Sequence, residues 1–167
     1  MQTVSCPGCG LELPARDMPP GARYLASGEC EELYHQLTAY DLEHQDPSFL
    51  HQESVDAYAA QHAGPGQAAI GTVFATAGLY LFAEHHFTGR QVQAAHTAMA
   101  RRRREWRALS LPVRTCATNV ATVLSAGPGD ARDAMIRAWA RDVWSTWQHE
   151  RGRIAEICRE LLGVEPR

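Results

Sequence analysis

The chain has 167 residues, room for one compact domain and too few for two comfortable ones. It is 45% hydrophobic and 21% charged, as a soluble globular protein is. The 16 basic side chains, all arginine, face 19 acidic ones, and the net charge of -3 argues against a global pull toward nucleic acid or anionic membrane.

No apolar run reaches membrane-spanning length, and the opening Met1-Gln-Thr-Val-Ser-Cys6 lacks the charged region and apolar core of a secretory signal. A cytoplasmic protein is therefore expected. The five cysteines are an odd number, and Cys6 and Cys9 form a CxxC. In a reducing compartment that pattern favours metal over disulfide.

Residues 1–28 read as an irregular metal-knuckle loop and 29–167 as a helical bundle, together one domain. In Cys6-Pro-Gly-Cys9-Gly, proline and glycine turn the backbone so that both sulfurs can face one ion. Pro14, Pro19, Pro20 and Gly21 keep the next segment out of regular structure, and so long a loop needs an anchor that a metal would supply. A first helix is expected over about 29–43, with Leu33, Tyr34, Leu37 and Tyr40 as its apolar stripe. A second runs over about 48–63, opened by Asp46-Pro47-Ser48 and closed by Gly64-Pro65-Gly66. Its His51, Val55, Tyr58 and His62 share one side at helical spacing.

The third helix, about 67–86, is apolar all round and reads as the most buried. A fourth covers about 91–104, followed by an extended linker at Leu109–Val113. Asn119–Ala126 suggests a short helix. Asp130 is a candidate cap for one long last helix reaching about Leu162, with Trp139, Trp144 and Trp147 on it. No strand pattern or internal repeat is evident. The class is all-α, an irregular four- to five-helix bundle with an N-terminal zinc-knuckle loop.

Cys6, Cys9 and Cys30 carry the strongest chemical signal. Thiolates select Zn2+ in a closed tetrahedral site that wants four donors. Cys30 at a helix start strengthens the reading, because helix N-terminal amides stabilise a thiolate. The fourth donor should be a histidine. His35 is close to Cys30 in sequence, but consecutive helices joined by a short turn run antiparallel. The end of the second then lies beside the start of the first, and this geometry favours His62. A redox or fortuitous CxxC is the bland alternative, although the βαβ context of a thioredoxin-like motif is missing.

His51 sits about three turns from His62, roughly 16 Å at 1.5 Å per residue. It cannot share one ion with His62, so a second site with Glu84 and His149 is one reading, and an ordinary core histidine the other. His85, His86 and His96 are further candidates there. Asp56 lies off the His51–His62 face and either supports an imidazole of a neighbouring helix or faces solvent. The run Arg101–Arg104, with Trp106 and Arg107, could hold phosphate or single-stranded nucleic acid, but a solvated helix end explains it as well. Cys116 and Cys158 read as buried small hydrophobes.

Taken together, Cys6-Pro-Gly-Cys9-Gly, Cys30 with Leu33-Tyr34, Val55-Asp-Ala-Tyr-Ala-Ala-Gln-His62 and the later Trp139-Ala-Arg-Asp-Val-Trp-Ser-Thr-Trp block resemble a bacterial family with no assigned activity, the domain-of-unknown-function family numbered 5946. The resemblance implies that Cys6, Cys9, Cys30, His51 and His62 are family features. His35 departs from the pattern. It implies no activity. A weaker likeness to DinB-type bundles, which carry a histidine triad, does not settle function.

The expectation is a zinc-binding helical protein, the ion structural, that binds a small molecule or a protein. The alternative is a metal-dependent enzyme with a His/carboxylate site in the bundle. Nucleic acid is the least favoured partner, no membrane is expected, and the sequence leaves substrate and oligomeric state open.

Overall fold

The computed structural model describes residues 2–102, 104–113 and 116–166. They are mostly helical. The chain opens with a small antiparallel hairpin, β1 (Thr3–Ser5) against β2 (Glu12–Pro14), with Val4 opposite Leu13. Helices follow as α1 (Gly28–His44), α2 (His51–Gln61), α3 (Ala69–His85), α4 (Gly89–Ala100), α5 (Val120–Ser125), α6 (Asp130–Thr146) and α7 (Arg151–Leu162), with a 3-10 turn over Gln148–Glu150.

The hairpin corrects the expectation of an irregular N-terminus. Three-residue strands are too short for alternation to register in the sequence. What forms them is the knuckle between: Cys6 N–H bonds Leu11 O at 2.9 Å and Gly10 N–H bonds Cys6 O at 2.8 Å. That tight turn brings the two flanking segments into register.

The all-round apolar third helix is indeed central. α3 buries Val73 and every residue from Ala75 to Phe82, and packs against α2, α4, α6 and α7. Its contact with α2 passes through Gly78. A Cβ there would collide with the Asp56 carboxylate and meet His96 Nε2 at 3.1 Å. Helix propensity alone would make Gly78→Ala stabilising by about 1 kcal/mol. We expect the opposite sign, a net loss of about 1–3 kcal/mol in urea unfolding, because the added methyl has nowhere to go.

The long last helix is two helices. α6 ends at Thr146, Trp147 closes it, and the 3-10 turn redirects the chain into α7. Trp139, Trp144 and Trp147 are all buried as a result, which one straight helix could not achieve on one face. The turn is held from outside: Glu150 accepts the Ser110 N–H at 2.6 Å and His149 Nε2 donates to Ser110 O at 2.9 Å. Gly129, not Asp130, is the residue before the first turn of α6. Asn119 does cap α5, accepting from Ala121 N–H and Thr122 N–H.

α4 stops at Ala100, so the arginine run lies beyond the helix rather than within it. Arg103 is outside the described residues. Arg104 pairs with Glu160 at 3.4 Å and lies over Trp106, whose ring packs edge-on against Phe74 at 5.2 Å. That is an anchored surface strap, and it accounts for Trp106 without nucleic acid. No helix of the described residues is long and apolar enough to cross a membrane.

Candidate metal centre

Three separate elements deliver the donors. The hairpin turn supplies Cys6 and Cys9. The first turn of α1 supplies Cys30, with Ser27 as its cap: Cys30 N–H donates to Ser27 Oγ at 3.2 Å. His62, the residue that caps the C-terminus of α2, completes the set, and Leu25 N–H bonds His62 O at 2.9 Å to hold the segment before α1 against it. The ligand atoms of Cys6, Cys9, Cys30 and His62 all lie within 4.8 Å of one another. All four residues are buried, Cys30 and His62 completely. Among the described residues this is the one such His/Cys/Asp/Glu cluster.

The histidine is presented for coordination. His62 Nδ1–H donates to Tyr58 O at 2.8 Å, one turn back in its own helix, which leaves the Nε2 lone pair facing Cys30 Sγ at 3.5 Å. Such a bond fixes tautomer and ring orientation, as backbone partners of metal-bound histidines do. Cys9 Sγ is 3.8 Å from Cys30 Sγ, and the Tyr58 hydroxyl donates to Cys30 Sγ at 3.7 Å. Tyr58 is sandwiched between His62 and Tyr34, both at 4.0 Å, with Tyr24 edge-on at 5.1 Å. This aromatic wall keeps water from one side of the donors. The hairpin closes the other side by near contact: a Cβ on Gly8 would strike Leu25 O and meet the His62 ring at 2.7 Å.

The three sulfurs perturb one another's acidity. Hydrogen bonds from Cys30 and then Cys9 pull the Cys6 thiol far down. Cys30 is pushed far up by its bonds to Cys6 and Cys9 and by burial. Cys9 is pushed up to about 12: its bond to Cys30 pulls down, and the Cys6 bond, burial and the Cys6 charge outweigh it. Sulfurs this close shift one another strongly and in opposite directions. Burial, then the Cys30 charge, pushes the Tyr58 phenol up as well, so it stays a donor.

The other predicted site residues are not gathered. His35 is exposed at the surface of α1. His51, Glu84 and His149 do not form a cluster. Glu84 accepts from Trp144 Nε1 at 3.0 Å and pairs with Arg151, His149 holds Ser110 O, and His51 lies beside Asp41 at 3.4 Å. Each of the three side chains has a local partner instead of the other two. Cys158 is buried, whereas Cys116 is only half-buried and accepts a hydrogen bond from Gln61 Nε2 at 2.7 Å.

Asp56 is buried, not solvated. It accepts from Gln52 Nε2 at 3.1 Å and faces His96 Nε2 at 3.9 Å. The expectation missed the roles of Tyr24, Gly8 and Gln61. Gln61 accepts from Trp139 Nε1 at 3.0 Å and donates to Thr118 O at 2.8 Å, tying the residue before His62 to α6 and the α5 approach. The only sequence signal was its place beside His62 in the VDAYAAQH block.

No characterised protein and no solved structure shows a match to the chain. One family profile does, and it spans both halves of the donor set, from the hairpin cysteines through α2 and on to the start of the 3-10 turn. With residues 4–148 matched, the chain belongs to the family of unknown function DUF5946.

Proposed function

We propose that Cys6, Cys9, Cys30 and His62 hold one Zn2+ ion, and that this ion is structural. The observation carrying the reading is the closed set of four buried protein donors. Catalytic zinc keeps a coordination position for water or substrate, whereas structural zinc is enclosed by four protein ligands. The thiolate-rich donor set suits zinc over the harder cations. In this reading the ion pins the 1–28 loop to the 29–167 bundle, so that the chain is a single folding unit and metal binding is part of its folding free energy.

The protein then serves as a binding component, for a small molecule or a protein, in the cytoplasm. Five free cysteines accord with a reducing compartment. The rival enzyme built on His51, Glu84 and His149 asks for donors that are engaged elsewhere.

Metal content per chain, by plasma mass spectrometry on untagged protein, tests this. One zinc is expected in the wild type, with loss in His62→Ala and Cys9→Ser and retention in His35→Ala. Two ions per chain, a redox metal, or unchanged content in both ligand variants would sink the assignment.

A further inference from the structure

A second feature lies at the opposite end of α2 from the metal centre, roughly 16 Å along the helix axis. Between the end of α1 and the start of α2 the surface opens into a pocket of about 350 Å3, lined by residues that include Asp41, Phe49, His51, Arg90 and Asp133. That volume is in the range of small-molecule sites.

The wall of this pocket is a strained but immobilised loop. Gln45 and Phe49 both line it and both have left-handed backbone, with φ of 45° and 60°. A bulky aromatic in that region needs its surroundings to hold it there. Asp46 does so: its carboxylate accepts from Ser48 N–H at 3.1 Å, from the Ser48 hydroxyl and from Leu50 N–H at 3.0 Å, while its carbonyl accepts from Phe49 N–H at 2.9 Å. The outcome is a positioned ring. Phe49 meets His51 edge-on at 5.6 Å and carries the Arg90 guanidinium over its face at 4.7 Å. Arg90 N–H bonds Ser48 O at 2.9 Å, fixing the start of α4 to the same loop.

The polar groups are arranged to receive a ligand. The side chain of Asp41 is 3% exposed and sits 3.4 Å from His51 Nδ1. The carboxylate accepts, so Nδ1 carries a proton, and in the neutral ring Nε2 is the acceptor. Arg90 has no carboxylate within ion-pair distance among the described residues. Asp46 accepts from three donors of its own loop and makes no ion pair with Arg90. Asp133, in the first turn of α6, brings a further carboxylate to the rim.

We propose that this pocket binds a small carboxylate with a hydrogen-bond donor on the adjacent carbon, an α-hydroxy or α-amino acid, its carboxylate on Arg90 and its donor on His51 Nε2. The planar guanidinium fork matches a carboxylate. Asp41 is a positioning residue that presents Nε2. An α-amino acid would also place its ammonium toward Asp133. The site is independent of the zinc assignment, since no metal donor lines it.

The test is amide chemical-shift mapping of the full-length, metal-loaded chain against L-lactate, L-serine and acetate, each up to tens of millimolar. Lactate, serine or both should shift residues 45–51 and 89–90, with acetate about tenfold weaker. Arg90→Gln, an exposed change that leaves the core untouched, and His51→Asn should each weaken binding about tenfold or more, with metal content and circular dichroism unchanged. A preference for serine that Asp133→Asn abolishes identifies the amino acid class, and a preference for lactate identifies the hydroxy acid class. The proposal is overturned if no probe shifts these amides, if acetate binds as well as the other two, or if both variants bind like the wild type.

Discussion

Stripping the metal with a chelator, or replacing Cys30 with serine, should lower the melting temperature by about 10 °C or more. Cys30 is completely buried at the meeting point of the hairpin, α1 and α2, and the N-terminal segment has little apolar core of its own. Its buried residues are chiefly the ligands Cys6 and Cys9 with Ala26. Without the proposed ion, three sulfurs and an imidazole are left packed together with no cation to bind them. The rest of the core, continuous with the site through Tyr58 and Trp139, is built on Leu79, Leu81, Ile136, Val143 and Ile154, which lie on helices that carry none of the four residues. Hydrogen exchange should therefore show a graded response. Residues 2–27 and the first turn of α1 should lose protection on chelation, while α3, α6 and α7 keep theirs. Equal melting temperatures with and without chelator would remove the structural role.

The second large effect concerns pH. Glu53, buried on α2, has an Oε2 with no hydrogen-bond partner. Burial is the main cause that pushes its carboxyl up from 4.5 to about 8. The nearby Asp46 and Asp41 charges push the same way, partly opposed by Arg137. Asp56, one turn on, is also raised well above its ordinary value by burial. In the window between 4.5 and about 8 the folded chain keeps the Glu53 proton that the unfolded chain releases. The Glu53 contribution to stability must then fall as pH rises through that window, on the order of 5 kcal/mol for the whole interval. Below it both states are protonated and no penalty applies.

Glu53→Gln holds the neutral shape at every pH. We expect it to match the wild type in urea unfolding near pH 4.5 and to exceed it by a few kcal/mol near pH 8.5. Parallel pH profiles for the two proteins would show that Glu53 is not the group responsible. Any pH dependence from the candidate metal centre, at the far end of the same helix, is common to both proteins and cancels in their difference.

The sequence by itself determined the helical class, the central burial of the third helix and which four residues, Cys6, Cys9, Cys30 and His62, would come together. Each rests on local information. An apolar surface right round a helix leaves it nowhere to go but the interior, and a CxxC with glycine and proline between its sulfurs makes a turn whatever surrounds it. Even His62, distant from Cys30 in the chain, followed from helix length and a short connection, because antiparallel neighbours juxtapose defined ends.

Tertiary structure decided what depended on partners from elsewhere. The break after Thr146 is held by Ser110, a residue some forty positions earlier that no periodicity could connect to it. Asp56 read either as support for an imidazole of a neighbouring helix or as a solvated acid, and only packing shows that Gly78 leaves the space its carboxylate fills beside His96. The same competition dispersed His51, Glu84 and His149. A buried polar atom takes the nearest satisfactory partner, and Asp41, Arg151 and Ser110 were nearer than one another's side chains. The types of residue at a site are written in the chain, but which of them meet is settled by the packing of helices that all must bury their apolar faces at once.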